Sequence, residues 1–112
     1  MTTEELNTKL YQKMEKEMED FKNELRASTP DEIMGRAYEL VIKEDILYHM
    51  EYNDLTDEQA NALLKDKKPL DSVYQKWEHM DTHYMDLIGD AVEARADELI
   101  QMKKRDQPEI GR

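Results

Sequence analysis

The 112-residue chain contains no cysteine. Disulfides, thiol nucleophiles and thiolate metal sites are thereby excluded, and the composition fits a reducing compartment, so a cytoplasmic location is the expectation. Glycine and proline occur only three times each, so few positions force a turn and long regular elements are expected. No apolar run approaches the roughly 18 residues of a membrane span. The first residues, Met1-Thr2-Thr3-Glu4-Glu5, are polar and acidic and do not read as a secretory signal. The sequence also lacks a glycine-rich phosphate loop, a Ser/His/Asp set, an EF-hand loop and a basic nucleic-acid patch. No cofactor is expected on these grounds. The small Lys103-Lys104-Arg105 cluster is most simply the cationic end of a helix.

Basic residues are the minority charge. Sixteen Lys and Arg face 27 Asp and Glu, for a net charge of −11. Between Pro69 and Met102 eight carboxylates stand against two cations, Lys76 and Arg95, a local net of −6. Such a field repels nucleic acid and lipid headgroups and draws in basic protein surfaces. Direct nucleic-acid or membrane binding is therefore not expected, and a basic nucleic-acid-handling protein is the kind of partner that fits. A charged share of 38%, against about 25% in ordinary domains, can signal disorder, but the periodicity of the apolar residues argues for a fold.

Leu6, Leu10, Met14, Met18, Phe21 and Leu25 recur at steps of four and three, the pattern of an amphipathic helix over about Thr3–Arg26. Thr2 and Glu5 form a capping box at its start. Ser28-Thr29-Pro30-Asp31-Glu32 starts a second helix running to about Tyr52, with Thr29 as N-cap and Pro30 at the first helical position. Ile33, Ala37, Leu40, Val41, Leu47 and Tyr48 share its apolar face, with Glu44 and Glu51 near the middle. Thr56 and Gln59 cap a short third helix through Leu63 and Leu64, with Leu55 stapled onto Ala60. After Pro69 a last helix begins near Leu70. Its stripe is Val73, Trp77, Met80, Tyr84, Leu87, Ile88, Ala91 and Val92, extended by Leu99 and Met102. It runs as one helix to about Lys104, or kinks around Asp81-Thr82 or Gly89. Four stripes imply an all-α fold: a compact bundle of about four helices forming one domain over 1–104, with a loose tail over 105–112.

Four features are candidates for chemistry. Glu44 on an apolar stripe must be paired, hydrogen-bonded or protonated, so it is either a perturbed acid–base group or a buried acceptor for Tyr, Trp77, Arg36 or Lys43; no second convergent catalytic group accompanies it. His79 and His83, at i,i+4, with Asp86, have metal-ligand spacing, but two ligands on one helix read more simply as surface histidines. Eight methionines suggest core filling at Met14, Met18 and Met80, and an adaptable contact patch at Met34, Met50 and Met85. Asp86, Asp90, Glu93 and Asp97 follow at steps of four, three and four and make an acidic ridge about 16 Å long. DNA presents phosphates at comparable density, so the ridge can occupy a groove built for a nucleic-acid backbone. It also serves as an ordinary solvated face.

The run Tyr38-Glu39-Leu40-Val41-Ile42-Lys43-Glu44-Asp45-Ile46-Leu47, then Asp54-Leu55-Thr56 with Leu63-Leu64, then Pro69-Leu70, Tyr74, Trp77 and Tyr84-Met85-Asp86, resembles a family of small helical domains of unknown function. The resemblance covers roughly residues 8–95. It implies a setting in gut bacteria and their mobile elements, alone or fused to anti-restriction-type proteins, and brings no activity and no functional residues. The composition and this context together lead to a non-enzymatic expectation: a small acidic inhibitor that counters a restriction or CRISPR nuclease by charge complementarity or nucleic-acid mimicry. Asp86, Asp90, Glu93 and Asp97 would carry the contact, with Asp45 assisting. The alternative is a helical interaction or homodimerisation module in which acidity serves only solubility.

Overall fold

The structure, a computed structural model, describes residues 1–106. Six helices and no strand occupy them: α1 Thr3–Arg26, α2 Pro30–Gly35, α3 Ala37–Tyr52, α4 Asp57–Leu64, α5 Pro69–Glu78 and α6 Tyr84–Asp106. The all-α expectation holds, but the helices number six instead of about four, because two of the expected helices are divided. The chain falls into two compact units, Met1–His79 and Met80 onward. Arg105 and Asp106 belong to α6; the rest of the expected tail lies outside the described residues.

In the first unit α1 packs against α3, α4 and α5, and α3 packs against α5. All six expected stripe residues of α1, Leu6 through Leu25, are buried. Leu6, Leu10, Met14 and Met18 form a core cluster with Met50 of α3, Ala60 of α4 and Leu70 of α5, and Leu40, Ile46, Leu47, Leu55, Leu63 and Val73 pack around it. Fully burying side chains of this size contributes about 1.5–3 kcal/mol each. The three expected capping boxes, Thr2/Glu5, Thr29/Glu32 and Thr56/Gln59, all form. The start of α5 has no side-chain cap of its own. Glu17 of α1 supplies one, its carboxylate accepting from the N–H of Leu70 at 2.9 Å and of Asp71 at 2.8 Å. Asn7, also buried, donates to the carbonyls of Thr3 and Leu55 and accepts from the Leu55 N–H, pinning the α3–α4 connection to α1.

The second expected helix breaks at Arg36, where φ is −110° and ψ 9°. Gly35 weakens the helix there, and the Arg36 guanidinium is drawn to Glu24 of α1 and Glu39 of α3, both at 3.2 Å. The last expected helix breaks at residues 79–83. The Asp81 carboxylate accepts the His83 N–H at 3.1 Å, a local turn that competes with the helix. His83 follows at φ 56°, a left-handed conformation that costs a non-glycine residue about 1–3 kcal/mol.

The face that α3 buries meets the expected one only at Leu40 and Leu47. Lys43 and Met50 are inside, with Leu40, Ile46 and Leu47 half-buried, whereas Ile33, Ala37, Val41, Tyr48, Glu44 and Glu51 are exposed. Apolar residues lie on both sides of this helix, and the neighbouring α1 and α5 select one of them. Glu44 is exposed and pairs with Lys22 at 3.8 Å on the surface, so the buried-acceptor reading does not apply. Among the methionines, Met50 is in the core and Met80 is exposed, the reverse of what the spacing suggested.

Candidate functional site

The helix α6 carries the predicted ridge. Asp86 lies in its first turn and Lys103, Lys104 and Arg105 in its last, matching the helix dipole at both ends. At about 100° per residue, Asp86, Asp90, Glu93 and Asp97 fall on one line, and Ile88, Val92, Leu99 and Met102 fall on nearly the opposite side. Every residue of α6 from Tyr84 to Arg105 is exposed. Whereas Val73 of α5 packs against the core, the α6 part of the apolar stripe expected to be core is therefore open, with Val92 64% exposed and Leu99 50%. One cation interrupts it, Arg95, whose guanidinium lies 3.6 Å from Glu98. Of the ridge, Asp86 approaches the His83 ring at 3.6 Å; Asp90, Glu93 and Asp97 have no ion pair among the described residues.

Asp45, the fifth predicted contact residue, belongs to the other unit. It is exposed on the outer side of α3. There it stands in the middle of a row that the sequence reading missed: Tyr38, Val41, Asp45, Tyr48 and Tyr52 follow at steps of three and four and lie opposite the buried face. Tyr48 and Tyr52 are 68% and 66% exposed, with ring centroids 4.9 Å apart. The Tyr38 hydroxyl accepts from the Trp77 indole of α5 at 2.8 Å. An apolar helix face left open, rich in Tyr, has the composition of a protein-binding surface. Its signal was present in the sequence as apolar residues on both sides of one helix, a pattern of helices covered on both sides.

The predicted histidine pair is separated by the break after α5. His79 ends α5, its Nδ1 2.7 Å from the Gln75 carbonyl oxygen, and His83 lies in the turn before α6. The i,i+4 geometry that suggested a shared metal does not exist. Among the described residues no group of three or more His, Asp or Glu could hold a metal ion.

A cleft of about 530 Å³ opens in the first unit over the Phe21 ring. Arg36 and Lys43 sit over that ring at 4.7 and 4.1 Å. The Lys43 ammonium is buried and donates to Glu39 at 2.7 Å, with Asp71 at 3.3 Å. Burial works to raise the Glu39 carboxyl, but hydrogen bonds from Lys43 and Arg36 outweigh it and hold Glu39 below the usual carboxylate range. Lys13 donates to the carbonyls of Leu64 and Asp66. These groups answer one another, so the cleft reads as a charged seam joining α1, α3 and α5.

The model of the family described as "Protein of unknown function (DUF3848)" matches residues 6–100. No curated protein and no solved structure matches the chain.

Proposed function

The chain belongs to this DUF3848 family, and from that premise we propose that it works as a non-enzymatic helical interaction module whose partner-binding element is α6. One observation carries the reading: a 23-residue helix with an apolar stripe along one side leaves that stripe uncovered. An amphipathic helix draws most of its stability from packing its apolar side, so such a helix is built to be covered. The exposed aromatic row on α3 adds a second face of the same kind. The test is assembly of the full chain, with itself or with another protein, followed by sedimentation and by capture. Val92→Glu with Leu99→Glu should abolish it, because two charges then enter the stripe. Neutralising Asp86, Asp90, Glu93 and Asp97 to Asn or Gln should leave it in place. Assembly that survives the two glutamates refutes the reading.

A second reading has its own observation, the four ridge carboxylates standing exposed in one line. Here the chain is an acidic inhibitor from a mobile element or phage that binds a basic nucleic-acid-handling protein of the restriction or CRISPR type. It predicts the opposite result: neutralised ridge residues abolish binding, and affinity falls steeply with salt.

A further inference from the structure

We propose that α6 of one copy docks antiparallel on the outer face of α3 in a second copy, and that two chains exchange α6 reciprocally to make a symmetric dimer. The inference rests on the reading of α6 as the partner-binding helix and adds what it binds.

The two exposed rows fit each other layer by layer. On α3 the row is Tyr38, Val41, Asp45, Tyr48, Tyr52; on α6, taken from the C-terminal end, it is Met102, Leu99, Arg95, Val92, Ile88. Both advance by three, four, three and four residues, the a/d spacing of helices that pack along their length. Antiparallel packing brings each a position against a d position. Tyr38 then meets Met102, Val41 meets Leu99, Tyr48 meets Val92 and Tyr52 meets Ile88. The third layer places Asp45 against Arg95. Each row thus contains one charge, the two are opposite in sign, and they fall in the same layer. Parallel packing sets a against a, so Asp45 would face Val92 or Leu99 and Arg95 would be buried without its partner, an expensive arrangement. A single polar layer in an otherwise apolar seam is a known device for fixing register and orientation. The acidic ridge lies on the far side of α6 and stays in water, away from Glu44 and Glu51 of α3.

Covalent reach assigns the docked helix to a second chain. Trp77 bonds to Tyr38, so the end of α5 lies at the N-terminal end of α3. The antiparallel register puts Ile88 level with Tyr52 and Tyr84 one turn beyond it, about 27 Å along α3 from Tyr38. The seven residue steps from Trp77 to Tyr84 span at most about 24 Å even when fully extended. A second copy has no such limit, and reciprocal exchange closes the assembly at two chains.

Sedimentation equilibrium of the full chain tests this. The protein as it stands should dimerise. Asp45→Arg or Arg95→Asp alone should weaken the dimer by about a hundredfold, since each sets like charges face to face in both seams. Both side chains are exposed in the single chain, so at concentrations low enough to keep the parent monomeric, helicity and melting of each variant should match the parent, and the difference should open only where the parent dimerises. Mixing the two variants in equal amounts should restore the dimer, because each seam of the mixed pair again holds opposite charges. The double variant should dimerise with itself. A chain monomeric at every concentration, a dimer indifferent to either reversal, or single variants that stay apart on mixing would each overturn the inference. If the chain is monomeric yet Val92→Glu with Leu99→Glu still abolishes capture of another protein, the partner-binding reading stands and only the exchange is lost.

Discussion

Replacing Lys43 by Met tests the charged seam of the first unit directly. The side chain is 4% exposed, and its ammonium lies 2.7 Å from Glu39, 3.3 Å from Asp71 and 4.1 Å from the centre of the Phe21 ring. Removing one member of a buried ion pair typically costs 3–5 kcal/mol, because the other is left uncompensated, an effect reduced here to about 2–3 kcal/mol. The reduction follows from what remains: Glu39 keeps Arg36 at 3.2 Å, and the Asp71 side chain is 39% exposed to water. Met preserves most of the volume packed against the core, so loss of packing adds little. For a unit of this size the loss corresponds to a fall in Tm of roughly 10–20 °C. Urea unfolding should show a lower midpoint at unchanged slope. The folded-state pKa of Glu39 lies below the usual carboxylate value of 4.5, so its contribution is present above that pH and fades as the pH falls through the lower folded value. The Met variant should lose part of that acid dependence. A stability change under about 0.5 kcal/mol, the range of an ordinary surface substitution, would show that the seam is not a structural pair and would refute the argument.

Three further outcomes follow from the same packing. Asn7→Ala should cost about 2–3 kcal/mol, since it leaves the N–H and C=O of Leu55 without their buried partners; urea unfolding measures the loss, and amide exchange at Leu55 should speed up. Tyr74 is pushed up to about 12, first by burial and then by its hydrogen bond to Glu78. A raised pKa means that its contribution is complete below the ordinary tyrosine value of 10.0 and is lost as the pH climbs through the folded value. Tyrosinate absorbance should therefore show two late-titrating groups, Tyr74 and Tyr11, the latter also raised by burial and by nearby Glu15; Tyr74→Phe should remove the later one and reduce the loss of stability in that alkaline range. Thr56→Ala should cost about 1 kcal/mol through loss of the α4 cap, read as a lower melting temperature.

How much the residues disclose depends on whether one face or two are apolar. Helix α1 has a single stripe, and all six of its members are buried. The capping boxes are equally legible, because hydroxyl, spacing and carboxylate act within four residues. Helix α3 has apolar side chains at Leu40, Ile46 and Leu47 and also at Tyr38, Val41, Tyr48 and Tyr52. Local spacing cannot say which set turns inward; the contacts with α1 and α5 decide it. Lys43 is invisible for the same reason, since the Phe21 ring, Glu39 and Asp71 that stabilise it indoors come from three helices. The break before α6 is legible only as an option at Asp81-Thr82, because it depends on a side-chain bond to the His83 N–H.

The stripe of α6 shows a different limit. A row of apolar residues at helical spacing looks identical whether it is buried in its own fold or reserved for a partner, and here it is exposed. The acidity of the chain then acquires a physical role that neither a solvated face nor a nucleic-acid mimic alone supplies. A helix that leaves Ile88, Val92 and Leu99 in water invites indiscriminate collapse. The four carboxylates on its far side oppose side-by-side stacking of helices that would bring ridge against stripe in open arrays, while an antiparallel pairing through the apolar side keeps them in solvent. The row of like charges along one side of α6 thus favours closed, stripe-to-stripe contacts. The lone Asp45 and Arg95 then choose among those contacts, because every register that does not bring them together buries one of them unpaired.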